Sequence, residues 1–391
     1  MSTVVMVNGS KLQAIKQINV CRSLDNISAE CQLVTSADPD SVGYIHLGDQ
    51  IQVYLDGLSK IYGYADKFVD TESNDGHTIT WTIRDSVADL IDSTCPASMK
   101  YINAKTSTLQ QFILNAINAV GISNMEVIDQ NGYSFPAELT KAAKTGQKIG
   151  DYLNDVCRLK GAIMSTDGMG NIILYNLGSV LQYTMLVNQY NGKQNNILES
   201  TLEIDNAARY YKYSFHSSGG IDVGDEGYWY TYKDHIGTAL DIDLAIRSTR
   251  MLELNADISP TSDDINNQLT LRAQQESNLR RSRAVNYNCK IAGYSGAQQP
   301  WDIGQLVKLR DEKRNCFGLF MIKEVTNELS DSGESTSLKL TWPDAYGIQA
   351  TLTDPNTVSI SRTYNQTPTN WQRVRVQKGQ QIKQTNSSIK K

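Results

Sequence analysis

The chain has 391 residues, 40% of them hydrophobic and 20% charged, with a formal net charge of −5. That apolar content excludes wholesale disorder and leaves room for about two to four domains, and no apolar run approaches the ~20 residues of a membrane-spanning helix. The charge is uneven. No acidic residue follows Asp354, whereas Arg362, Arg373, Arg375, Lys378, Lys383, Lys390 and Lys391 do, so the body up to Asp354 sets 30 basic residues against 42 acidic ones. A body at −12 argues against general DNA binding, and the basic tail reads as an interaction arm or a solvated extension.

The N-terminal third has strand character. Thr3 to Val7 precedes Asn8-Gly9, a strong hairpin signal. Lys11 to Cys21 and Ala29 to Thr35 continue with β-type residues, and Ile51, Val53 and Leu55 alternate with polar neighbours. From Gly48 the chain reads G-D-Q-I-Q-V-Y-L, then a strand led by Gly63, a polar tip at Gly76, and T-I-T-W-T-I-R-D with Trp81, Arg84 and Asp85. From Gly304 the same theme returns: G-Q-L-V-K-L, a strand led by Gly318, a tip at Gly333, and S-L-K-L-T-W-P-D with Trp342, Pro343 and Asp344. One β module is written twice, too far apart for a short-period solenoid.

After Cys95-Pro96 the pattern becomes mixed. Ser107 is expected to cap a helix carrying Leu109, Phe112, Ile113, Ala116, Ile117 and Val120 and stopped by Gly121. A second helix is expected around Asp151 to Lys160, and Asp167-Gly168-Met169-Gly170-Asn171 reads as a hairpin tip. Strands are expected at Ile197 to Ile204 and Arg209 to Phe215. A Gly-rich loop follows near Ser217 to Gly227, then a helix opened by Ser262-Asp263-Asp264 and closed by Arg280, Arg281 and Arg283. Val285 to Ile291 resumes strand, and extended or disordered chain follows Tyr346. The 20 Tyr against 6 Phe suit half-buried sheets and wet subunit interfaces.

Candidate chemistry is sparse. Asp85, Asp89 and Asp92 invite a paired-carboxylate reading, yet their spacing suits a surface helical turn. The D-G-M-G-N loop lacks the residues of a phosphate or calcium loop. His46, His77, His216 and His235 are scattered, and Cys21, Cys31, Cys95, Cys157, Cys289 and Cys316 show no zinc spacing. The cysteines read as reduced and buried, which fits folding in a cytoplasm, and no signal peptide opens the chain. Arg280, Arg281 and Arg283 read as a helix-end cluster, with Glu276 placed to pair with Arg280, and as an anchor between domains or subunits. No catalytic, cofactor or metal residues are assigned.

In their order, G-D-Q-I-Q-V-Y-L-D-G, W-T-I-R-D-S-V-A-D-L-I-D-S-T-C, D-Y-L-N-D-V-C-R-L-K-G, D-G-M-G-N-I-I-L, the helix ending R-R-S-R, W-D-I-G-Q-L-V-K-L and L-K-L-T-W-P-D-A-Y resemble the baseplate hub proteins of Mu-like contractile phage tails, from about Val4 to Tyr346. The resemblance departs at Asp85, where that family often has Gly or Ser, and in the basic tail. It implies a mainly β protein with α+β insertions: two related small antiparallel β-barrels of tube type, an α/β domain and a helix-containing insertion. The expected bounds are 1–96 for the first barrel, 97–195 for the α/β domain, 196–218 with 284–346 for the second barrel, 219–283 for the insertion and 347–391 for the tail.

The implied role is structural. A homotrimer would form a ring of pseudo-sixfold symmetry between a hexameric tail tube and a trimeric central spike, touching wedge proteins, with DNA and tape-measure protein passing through without specific binding. An acidic lumen would let DNA slide. Such a protein would sit in the virion tail baseplate after assembly in the bacterial cytoplasm. The alternatives are a tail-associated glycan hydrolase and the hub of a contractile secretion or bacteriocin machine.

Overall fold

The computed structural model describes residues 3–13, 15–36, 45–73, 76–97, 108–122, 124–134, 143–144, 146–159, 161–217, 221–223, 230–232, 235–255, 265–297 and 299–346. The expected caps at Ser107 and Ser262 to Asp264, part of the Gly-rich loop and the basic tail lie outside these residues. The first part of the chain is sheet: β1 (Thr3–Val7), β2 (Ser10–Lys11), β3 (Ile15–Ser23), β4 (Glu30–Ser36), β5 (Gln50–Leu55), β6 (Leu58–Ser73) and β7 (Gly76–Asp85), followed by the short α1 (Val87–Asp92). Alternation drives this: Ile51, Val53 and Leu55 are buried between half-buried polar neighbours.

The next unit holds α2 (Leu109–Val120), β8 (Val127–Asp129), α3 (Ile149–Leu159), β9 (Met164–Thr166) and β10 (Ile172–Leu174). Thr108 caps α2, its hydroxyl accepting from the Gln111 amide at 3.1 Å, and Gly121 ends it with φ of 86°. β8, β10 and β9 form a small sheet, and Leu109, Phe112, Ile113, Leu153 and Val156 pack with it in one core. The D-G-M-G-N segment is a hairpin tip: the Asp167 carboxylate accepts from the amides of Met169 and Asn171.

β11 (Leu186–Asn188) and β12 (Ile197–Ile204) lead into an insertion of β13 (Lys212–Ser217), β14 (Ile221–Val223), β15 (Tyr230–Tyr232), β16 (His235–Leu240), β17 (Met251–Asn255) and α4 (Ile265–Ala284). The chain then returns to sheet with β18 (Val285–Ala292), β19 (Leu306–Asp311), β20 (Cys316–Ser330) and β21 (Gly333–Thr341). One expectation is corrected here. Of the strands expected to open the second module, β12 pairs with β18, but β13 joins β16 and β17 in a separate three-stranded sheet. The reason is packing: Tyr213 and Phe215 of β13 bury against Leu269 and Ala273 of α4.

The main sheet has thirteen strands and runs β12-β18-β21-β20-β3-β4-β7-β6-β5-β1-β2, with β19 and β11 branching from β20. The protein is therefore mainly β, largely antiparallel, with helical insertions. The recorded pairings leave both modules open, so closed barrels are not a feature of the strand ladder among the described residues.

The duplication is visible in the backbone itself. Gly48, with φ of 86°, donates its amide to the Ala65 carbonyl at 2.8 Å; Gly304, with φ of 78°, donates to Ile322 at 2.8 Å. The return bonds match too, from Ala65 to Asp49 and from Ile322 to Gln305. The long hairpins β6–β7 and β20–β21 turn at Gly76 and Gly333 and bulge at equivalent points, Asp66 and Lys323. β3 and β12 also bulge equivalently, at Lys16 and Leu198.

This register shifts the match expected from the tryptophans. Aligned on hairpin tips and bulges, Trp81 corresponds to Leu338, and Trp342 to Asp85. Gly63 likewise corresponds to Phe320, two residues from Gly318. Gly63 answers a local demand: a Cβ there would lie 1.8 Å from the Arg84 carbonyl oxygen.

Candidate functional site

The two modules meet strand to strand. β20 pairs with β3, placing Glu324, Val325, Thr326, Asn327, Glu328 and Leu329 opposite Ser23, Arg22, Cys21, Val20, Asn19 and Ile18. Val325 is only 4% exposed in this seam and Asn327 3%. β19 covers β20 only from Cys316 to Met321, so the seam uses the remaining half of a long strand.

The same edge recurs on β6 without a neighbour. β5 covers β6 from Leu58 to Tyr64, and among the described residues no strand pairs with the equivalent edge from Lys67 to Glu72. Phe68, the counterpart of Val325, is 47% exposed, although its ring lies 5.4 Å from that of Trp81. At the far end of the sheet β12, the counterpart of β3, pairs with β18 alone. It exposes Leu198 at 62% and Ile204 at 40%. Long open edges that expose apolar side chains invite strand addition.

A buried polar junction ties the modules to the unit between them. Asp85 is 1% exposed; its carboxylate accepts from the Val87 amide at 2.9 Å and from the Thr166 hydroxyl at 2.8 Å. The Arg22 guanidinium donates to the Thr166 carbonyl at 2.7 Å and the Tyr175 hydroxyl at 2.6 Å, and pairs with Asp302 at 3.0 Å. Two sequence-distant segments, at Thr166 to Tyr175 and at Asp302, thus close on one arginine. Burial pushes the Asp85 carboxyl up to about 6. Burial also lowers the Lys60 ammonium, which lies in the same region. The hairpin tip docks beside it, where a Cβ on Gly168 would meet the Lys60 carbonyl oxygen at 2.5 Å.

The surface-turn reading of the three carboxylates is corrected for Asp85, which is buried at the end of β7 as a backbone acceptor. Asp92 pairs with Arg84 at 2.5 Å and Lys148 at 3.6 Å, which holds its carboxyl below the usual range. The Asp85 and Asp92 carboxylates are thus engaged in different structural bonds, and burial raises the Asp89 carboxyl. All six cysteines are free, and burial pushes the thiols of Cys31, Cys157 and Cys289 up, away from the nucleophilic thiolate.

The arginine cluster on α4 anchors the insertion. Arg280 pairs with Glu276 at 2.7 Å, donates to the Ala208 carbonyl at 3.0 Å, and stacks 5.3 Å from the Tyr210 ring centroid, with Arg250 at 5.1 Å. Arg281 lies 3.8 Å from Asp243, and Arg283 is exposed. Beneath them the fully buried Arg209 makes paired bonds to Asp241 at 2.7–2.9 Å and reaches Asp243 at 3.2 Å. Pro343 and Asp344 lie in a 3-10 turn against α4, beyond the buried Trp342.

One face of the second module is polar. Glu199, Thr201, Lys290, Glu324, Glu328 and Lys339 line a shallow groove of about 360 Å³. Lys290 pairs with Glu328 at 2.6 Å and Lys339 with Glu324 at 3.1 Å. No group of three or more potential metal ligands occurs among the described residues, and no described helix is long and apolar enough to cross a membrane.

No protein-family model and no curated protein matches the chain. Solved structures do. A 43 kDa tail protein of prophage MuSo2 from Shewanella oneidensis is 20% identical with a TM-score of 0.69, covering 88% of this chain and 98% of that one. A tail protein from Neisseria meningitidis MC58 is 14% identical with a TM-score of 0.71, covering 88% and 97%. Prophage tail protein gp18 from Listeria monocytogenes EGD-e is 11% identical with a TM-score of 0.51, covering 87% and 94%. Over nearly their whole length, the chain has the fold of these tail proteins.

Proposed function

We propose that this protein is the structural baseplate hub of a contractile phage tail. In this reading three chains form a ring of six β modules, which presents near-sixfold symmetry to a hexameric tail tube and true threefold symmetry to a trimeric central spike. The observation that carries the reading is the duplicated module: two copies with matched glycines and matched bulges, joined in one continuous sheet. A head-to-tail contact of this kind generates a closed ring when the rotation per copy divides the circle. The likeness to solved tail proteins, one of them from a prophage, supports the tail setting.

The polar groove face would line the channel, where paired lysines and carboxylates give DNA and tape-measure protein little to grip. The α/β unit and the insertion would widen the ring on its spike side, with wedge proteins outside. The chemistry asked of the chain is positional, and the buried carboxylates and thiols serve packing. Light scattering on the purified chain tests the assembly: a species of three chain masses is expected, and a monomer at every concentration and ionic strength refutes the ring.

A further inference from the structure

Each module has one strand edge that receives and one that is received, and within the chain only one such pair is joined. β20 uses its free half to bind β3. The equivalent half of β6, beyond the reach of β5, and the outer edge of β12 are left over among the described residues, one in each module of the same sheet. Matched bulges fix which residues correspond, so the internal seam can be transposed residue by residue onto the unused edges.

From this transposition we propose that β6 of one chain pairs antiparallel with β12 of the next, in the register of the internal seam; the proposal rests on the ring reading above. Lys67, Phe68, Val69, Asp70 and Thr71 then lie opposite Asp205, Ile204, Glu203, Leu202 and Thr201 of the neighbouring copy. The occupant of each edge is a second copy of this chain, for three reasons.

The first reason is continuity, since the new seam repeats an existing one. The second is apolar complementarity: Phe68 at 47% exposure meets Ile204 at 40%, on the face where Val325 and Arg22 are buried in the internal seam. The third is charge. Lys67 falls opposite Asp205, with Glu203 on the same face, and all three are exposed. At the far end Glu72 approaches the Ser200 position, where the Arg314 guanidinium already donates to the Ser200 carbonyl. That bond marks where the open edge of β12 begins.

A one-residue slip would turn Phe68 away from Ile204, so the register is specified by the bulges and the apolar face together. The long open edges, with Phe68, Val69 and Ile204 exposed, are then explained as adhesive surfaces, covered on assembly in the manner of strand addition.

Cross-linking in the full chain tests the register. Val69→Cys combined with Glu203→Cys should give intermolecular disulfides on mild oxidation, seen as linked dimers and trimers in non-reducing gels. Val69→Cys with Thr201→Cys, two residues out of register, should give at least about tenfold less, because that pair is diagonal rather than opposed. In a second arm Lys67→Glu should weaken association about fivefold per interface, and adding Asp205→Lys should restore it. A trimer by light scattering that cross-links in another register, or that ignores the charge reversal, overturns this inference and leaves the ring reading intact. A chain that never trimerises overturns both.

Discussion

Replacing Asp85 with Asn should remove a specific pH dependence of stability. The Asp85 carboxyl is buried between the Val87 amide, the Thr166 hydroxyl and the Arg22 guanidinium, and burial raises it from 3.8 to about 6. Below about pH 4 it is protonated in both folded and unfolded chains and costs nothing. Between about 4 and 6 the folded state retains a proton that the unfolded state has released, so stability falls as pH rises. Above about pH 6.5 the full cost stands, about 3 kcal/mol for a shift of ~2 units at 1.36 kcal/mol each. The neutral amide of the Asp85→Asn variant carries no such cost.

That amide also loses an interaction, because both Asp85 oxygens accept hydrogen bonds, from the Val87 amide and the Thr166 hydroxyl, and the NH2 that replaces one of them is a donor only. The loss is nearly independent of pH and cancels in the comparison. The stability of the variant minus that of wild type should therefore rise by about 3 kcal/mol from pH 4 to pH 7.5. Urea unfolding of both proteins by tryptophan fluorescence at matched ionic strength measures it. Parallel pH profiles would refute the reasoning, showing that Arg22 and the two hydrogen bonds compensate the buried charge completely.

Gly63→Ala should destabilise the first module by about 1–3 kcal/mol or more, since the new methyl meets the Arg84 backbone carbonyl and neither strand can yield without opening the ladder; thermal melts check this. Arg209→Ala should cost about 3–5 kcal/mol by removing the buried cation that Asp241 and Asp243 share; limited proteolysis should then cut the insertion first. Arg280→Ala should cost about 1–2 kcal/mol in the same unit, through loss of the Glu276 pair and the Tyr210 stack. Deleting Thr363 to Lys391 should weaken particle assembly if the basic segment is an arm; unchanged particle yield would make it dispensable.

The sequence made some of this legible and concealed the rest for physical reasons. Gly48 and Gly304 could be matched because a left-handed turn leaves a glycine, and the structure places them in the same hydrogen-bonded setting. Trp81 and Trp342 misled because a conspicuous side chain need not mark register, whereas the bulges at Asp66 and Lys323 do and leave no residue signature. β13 looked like a module strand because alternation reports a buried face without naming the partner, and its partner proved to be α4. The junction of Arg22, Asp85, Thr166 and Asp302 was invisible because its members are brought together only by long-range pairing. Arg280 was readable through its local Glu276 partner, while Tyr210 and Ala208 beneath it were not.

The central claim is that two modules per chain become six per ring. Electron micrographs of the purified oligomer viewed down its axis test it most directly. The account predicts a closed ring of six similar lobes with strict threefold symmetry, alternate lobes bearing the insertion between β12 and β18. A closed ring with any other number of chains, or an oligomer that does not close into a ring, would contradict it.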